Sequence, residues 1–147
     1  MDRGTAVLLT AFTGGLVALQ APINSLLGRS IGTWQAAFLS FAIGTLALAC
    51  IAALATGGLG QVADVRGVPW YYLTGGLLGA LYVTTILVTV RTLGAGGIVA
   101  ATVAGQLALS VVVDHFGLVG VARQPISALK ILGVVLLGLG TYLVVRD

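Results

Sequence analysis

GTAVLLTAFTGGLVALQAPINSLLG, residues 4–28, runs without a single charged side chain between Arg3 and Arg29. At about 1.5 Å per residue such a run is long enough to cross the ~30 Å hydrocarbon core of a bilayer as one helix. It outlasts the apolar stretch of a signal peptide and holds Gln20, Pro22 and Asn24, so a first membrane helix is expected in place of a cleaved leader. The rest of the chain repeats the theme. Of its 147 residues, 59% are hydrophobic and 7% charged, and the mean hydropathy is +1.12. A soluble domain carries about a quarter charged residues, so this chain has too few to coat a water-facing surface.

Because a charge at the centre of a membrane helix costs about 2.5–3.5 kcal/mol on insertion scales, the charged positions punctuate the topology. Trp34 to about Thr56 forms a second apolar run, closed by Gly57 and Gly58. After a short loop with Asp64 and Arg66, Pro69 stands where a helix begins, Trp70, Tyr71 and Tyr72 form an interfacial aromatic belt, and a third run continues to Arg91. The glycine-rich stretch Leu93–Gly97 predicts a tight reversal into a fourth run from about Ile98, ended near Asp114 and His115. A fifth follows Pro125 and reaches Val145, with Lys130 near its start and able to snorkel. The expected fold is an all-α integral membrane protein. Residues 1–147 make a single membrane domain of five transmembrane helices, at about 5–28, 34–56, 70–91, 98–117 and 126–145.

Five crossings put the termini on opposite sides. Arg3, Arg66, Arg123 and Lys130 then face Arg29, Arg91 and Arg146 across the membrane, four basic residues against three. Positive residues in short loops normally fix orientation, and here they scarcely differ. Two arrangements fit: a weakly biased chain inserted with its N-terminus inside, or dual topology, in which oppositely inserted copies form an antiparallel homodimer akin to an inverted-repeat transporter. Small residues four apart (Ala36, Ser40, Gly44; Gly75, Gly79; Gly97, Ala101, Gly105) supply faces on which helices can approach closely in lipid.

Several classes of activity are excluded. The basic residues are scattered singly, without the stripe or cluster that binds nucleic acid. One His, one Cys and four carboxylates assemble neither a metal cage nor a nucleophilic triad, and Cys50 has no partner for a disulfide. No enzyme, metal or cofactor is expected. What stands out is uncharged polar side chains within apolar helices, each of which needs a partner or a watery cavity. Thr13, Gln20 and Asn24 share one face of the first helix, with Pro22 between the last two freeing a backbone carbonyl one turn earlier. That face reads either as pathway lining or as a helix end where Gln20 and Asn24 merely cap. Thr102, Gln106, Ser110 and Asp114, spaced by fours, form a second polar stripe. Asp114 is the one carboxylate near membrane depth, with His115 beside it; it reads equally as a titrating group or as a hydrated interfacial one. Tyr82, in mid-helix, calls for a hydrogen-bond partner or a cavity.

Taken together, QAPIN (20–24), AAFLSFAIGTL (36–46), Pro69–Trp70, GGLLG (75–79), Gly105–Gln106 and DHFG (114–117) resemble the YdcZ-like family of the drug/metabolite transporter superfamily, in order over almost the whole chain. The resemblance implies a half-size transporter of the bacterial inner membrane with five helices per chain, whose relatives occur singly, in pairs and as ten-helix fusions. Small multidrug transporters of that superfamily rely on a glutamate in the first helix; this first helix has none, so their proton-coupled export of cationic drugs is not expected here. The resulting expectation is a secondary transporter of a small solute working by alternating access in an antiparallel homodimer. Thr13, Gln20, Asn24, Tyr82, Thr102, Gln106, Ser110 and Asp114 are the pathway candidates. The alternatives are a dual-topology ion or solute channel and a subunit obligately paired with a homologous chain.

Overall fold

The computed structural model describes residues 2–146. Among them every regular element is helical: α1 (Arg3–Ile31), α2 (Thr33–Thr56), 3₁₀ segments Gly60–Gly67 and Trp70–Leu73, α3 (Thr74–Phe116), a 3₁₀ turn Leu118–Gly120, and α4 (Ala128–Arg146). Four helical stretches are long and apolar enough to cross a membrane. Their large side chains point outward, Leu54 at 87% exposure, Phe38 at 74% and Leu8 at 73%. In water such a surface would aggregate; here lipid is the solvent it fits.

Local chemistry sets the helix ends. Asp2 caps α1, its carboxylate accepting from Thr5 N at 2.9 Å and Thr5 Oγ1 at 2.5 Å. The Thr5 hydroxyl, then the Thr5 amide, hold that carboxyl below its ordinary range. The cap is therefore complete above the usual carboxylate pKa and is lost as pH falls through the lowered value. α1 continues past Arg29, which sits favourably in its last turn beside the C-terminal carbonyls. The link to α2 is Gly32 alone, at φ 97°, where an added Cβ would strike Gln35 Oε1.

The Leu93–Gly97 stretch, expected to be a turn throughout, leaves helical geometry only at Gly94 (φ 67°, ψ 173°), a conformation essentially reserved for glycine. One such residue interrupts the helix, so the following glycines resume it. The 43 residues of α3 amount to about 65 Å of helical rise, roughly twice the hydrocarbon thickness.

The chain forms two compact units, the first ending at Arg91 and the second beginning at Thr92. In the first, Ala36, Ala37, Val83 and Leu87 make a small core onto which Leu27 and Tyr82 pack. Ala36 is wholly buried. Gly28 of α1 lies against it, and a Cβ there would meet Ala36 Cβ at 3.8 Å and Leu87 Cδ2 at 3.7 Å, ordinary van der Waals contact. Small residues allow the backbones this close, and the dispersion attraction they permit replaces the hydrophobic driving force that lipid does not supply. Ala36→Leu should cost about 1–3 kcal/mol through overpacking, read as earlier unfolding in a denaturing-detergent titration.

In the second unit the part of α3 after Gly94 packs on α4. Gly97 is buried, and a Cβ on it would sit 3.5 Å from Val145 Cγ2 and 3.2 Å from Leu93 Cβ. Thr141 Oγ1 donates across to Ala100 O at 3.0 Å, sharing its proton with Leu137 O at 2.9 Å. Gly44, Gly75 and Gly105, from the same small-residue rows, face open space.

Candidate functional site in the membrane helices

Of the eight pathway candidates, Asn24 is the most enclosed, at 6% exposure. It lies well inside α1, not at a helix end, so the capping reading does not apply to it. Its Nδ2 donates to Ser40 Oγ of α2 at 3.0 Å. Ser25, beside it, is also buried. Pro22, inside the helix, supplies no amide hydrogen, which leaves the carbonyl of Ala18 without its usual helical donor. No buried side-chain nitrogen or oxygen among the described residues lacks a partner. The Asn24 amide oxygen takes no hydrogen bond among the described residues. The sequence placed Ser40 in a small-residue row; its role as the polar partner of Asn24 was missed. Its spacing of four from buried Ala36 is the signal that puts it on the same inward face.

The other candidates on α1 differ. Thr13 is exposed and returns its hydroxyl to the backbone, donating to Leu9 O at 2.9 Å and Thr10 O at 3.1 Å. Gln20 is exposed among exposed apolar neighbours. Tyr82 is half-buried and packs on the core cluster, which accounts for its ring.

The second stripe belongs to the second unit. Thr102 and Asp114 are half-buried, whereas Gln106 and Ser110 are exposed; Ser110 donates to Leu107 O at 2.9 Å. Because their hydroxyls are already tied to the backbone on exposed faces, Thr13→Ala and Ser110→Ala should each change stability by less than about 0.5 kcal/mol in the same titration.

Around Asp114 the chain folds back on itself. Its carbonyl accepts from Gly117 N at 3.3 Å and Gln124 N at 2.8 Å, and Arg123 Nε donates to His115 O at 3.0 Å. His115 Nδ1 accepts the Ile126 amide at 3.3 Å, so this nitrogen serves the loop and not the Asp114 carboxylate. The DHFG segment thus fastens the connection to α4. Gly117, at φ 64° with Arg123 Cα and Cβ close by, is the residue that permits the fold-back.

A further groove of about 440 Å³ lies in the second unit between Leu93, Ala101, Gly138 and Thr141, with Tyr142 and Arg146 at its edge. The Arg146 guanidinium stands 5.8 Å from the centre of the Tyr142 ring. Its lining is almost wholly apolar, which suits a hydrocarbon chain better than a polar solute.

A family model described as "Putative inner membrane exporter, YdcZ" matches residues 5–143. The chain belongs to the YdcZ family. No curated protein and no solved structure gave a significant match. The match takes in every candidate discussed above, from Thr13 to Asp114, together with the Asn24–Ser40 hydrogen bond and the DHFG loop. As a YdcZ-family member with four apolar spans, the chain is an integral protein of the inner membrane, and the family points to transport.

Proposed function

We propose that this YdcZ-family chain is a small secondary transporter that moves a small polar solute by alternating access, as an antiparallel homodimer of five-crossing subunits. The observation that carries the reading is Asn24: a carboxamide buried at 6% exposure within an apolar helix that also contains Pro22, donating to Ser40 Oγ of α2 at 3.0 Å. A polar group in that position is disfavoured in hydrocarbon unless something uses it.

The length of α3 supports five crossings, since a helix of twice the membrane thickness accommodates two spans divided at Gly94. The exposed amides support assembly. Gln20 and Gln106 would face acyl chains in a lone subunit, a poor environment for a carboxamide, whereas a second copy could cover them or enclose water beside them. Near-equal basic residues on the two sides support opposite insertion of the two copies.

In this scheme Gln20 and Asn24 in the first unit, and separately Thr102, Gln106 and Ser110 in the second, are uncharged hydrogen-bonding groups available to a solute, and Asp114 is the group available for ion coupling. Such ligands suit a neutral or anionic polar solute better than a cation, and the family description favours efflux. A thermal-shift screen of the purified protein against small solutes, followed by counterflow in proteoliposomes with any hit, tests the proposal. Saturable flux with counterflow is expected. Non-saturating flux without counterflow would assign a channel instead.

A further inference from the structure

The 3₁₀ segment Gly60–Gly67 carries a pattern that the transport reading does not use. A 3₁₀ helix has three residues per turn, so side chains three apart eclipse one another on one face. Leu59, Val62, Val65 and Val68 fall at that spacing, with Leu59 and Val68 as its two caps. The geometry is regular at both ends: Val62 N donates to Leu59 O at 3.0 Å and Val68 N to Val65 O at 3.2 Å. The positions between them are Gly60, Gln61, Ala63, Asp64, Arg66 and Gly67. The apolar stripe is uncovered, at 47%, 63%, 40% and 41% exposure in chain order.

What covers it follows from where it sits. The segment joins the end of α2 to the start of α3, both long and apolar enough to cross the membrane, so it lies at a membrane–water boundary. It runs through Pro69 directly into Trp70, Tyr71 and Tyr72, whose rings meet edge to face at centroid distances of 6.2 and 4.9 Å. These rings are also exposed, at 77%, 49% and 64%, and tryptophan and tyrosine concentrate at headgroup level. An apolar stripe continuous with an aromatic belt on a segment bound to the interface fits a lipid surface. The segment's charges, Asp64 and Arg66, cancel, so apolar burial and not attraction to anionic headgroups would hold it there.

We propose that residues 59–72 form an interfacial anchor that lies in the membrane surface with Leu59, Val62, Val65 and Val68 seated at the headgroup–acyl boundary. The anchor sets the depth of the α2 C-terminus and the α3 N-terminus.

The test uses the full chain with Cys50→Ala removing the one native cysteine. Single cysteines at 61, 62, 64 and 65 are spin-labelled in phosphatidylcholine vesicles, and collision with oxygen is compared with collision with a water-soluble nickel chelate. Labels at 62 and 65 should favour oxygen and those at 61 and 64 nickel, a period of three that persists unchanged when a third of the lipid is phosphatidylglycerol. Equal nickel access at all four positions would overturn the proposal, as a solvated loop. Shielding of 62 and 65 from both reagents would overturn it too, by showing that protein covers the stripe. A pattern that appears only with anionic lipid would overturn the apolar basis of the anchor.

Discussion

Asn24→Leu is expected to lower solute flux roughly ten- to a hundredfold in proteoliposomes, the equivalent of about 1–3 kcal/mol for removing a hydrogen-bonding group from a largely enclosed position. The same substitution should change stability far less. Interhelical hydrogen bonds in membranes average only about 0.6 kcal/mol, and leucine keeps the branched shape of the asparagine side chain. The two magnitudes decide between roles. If the bond from Asn24 to Ser40 merely holds α1 to α2, flux per folded molecule should survive while stability drops. If the amide serves a solute, flux falls and stability holds. Ser40→Ala should act in the same direction, and the double variant should be no worse than Asn24→Leu alone, because the two side chains act as a pair.

The second large effect concerns orientation. Arg29 and Arg91 are exposed on helical faces, so exchanging both for glutamine should leave each packed unit intact. It would also change the basic balance from four against three to four against one, fixing the N-terminus inside. A chain inserted one way cannot form an antiparallel pair, and its flux should fall to background. Arg3→Gln, Arg66→Gln and Lys130→Gln together leave one basic residue against three and bias the chain the opposite way, and this variant should be inactive alone as well. Co-expression of the two should restore flux to near the wild-type level. Full flux from either variant by itself would contradict antiparallel pairing.

Much of this fold is legible in the sequence because the bilayer imposes one dominant rule, that long uncharged runs cross it. The Gly4–Gly28 run follows that rule, although α1 continues past Arg29 and α3 runs through Arg91, so charges do not by themselves mark the helix ends. The departures come where a single residue replaces several. Gly32 stands in for a loop between α1 and α2, and Gly94 for a reversal over Leu93–Gly97. Glycine content announces such points, but whether one φ or five change is decided by packing that a lone sequence does not display.

The site was legible in part. Spacing put Asn24 on the face of Gln20 and Thr13, yet α1 buries the first and leaves the other two exposed, because α2 covers only the end of α1 near their junction. Ser40 was hidden by its smallness, since it fits a packing row as well as a hydrogen bond. His115 next to Asp114 suggested a titrating pair, whereas the bond its ring accepts from Ile126 depends on a residue eleven positions away. Nothing in local spacing reports such a fold-back.

The central claim, two oppositely inserted copies of one chain, is tested most directly by reporters fused at Asp147, one fluorescent only in the cytoplasm and one active only in the periplasm. Both should report from the wild-type chain at comparable levels. A signal from one reporter alone would mean a single orientation and would contradict the account.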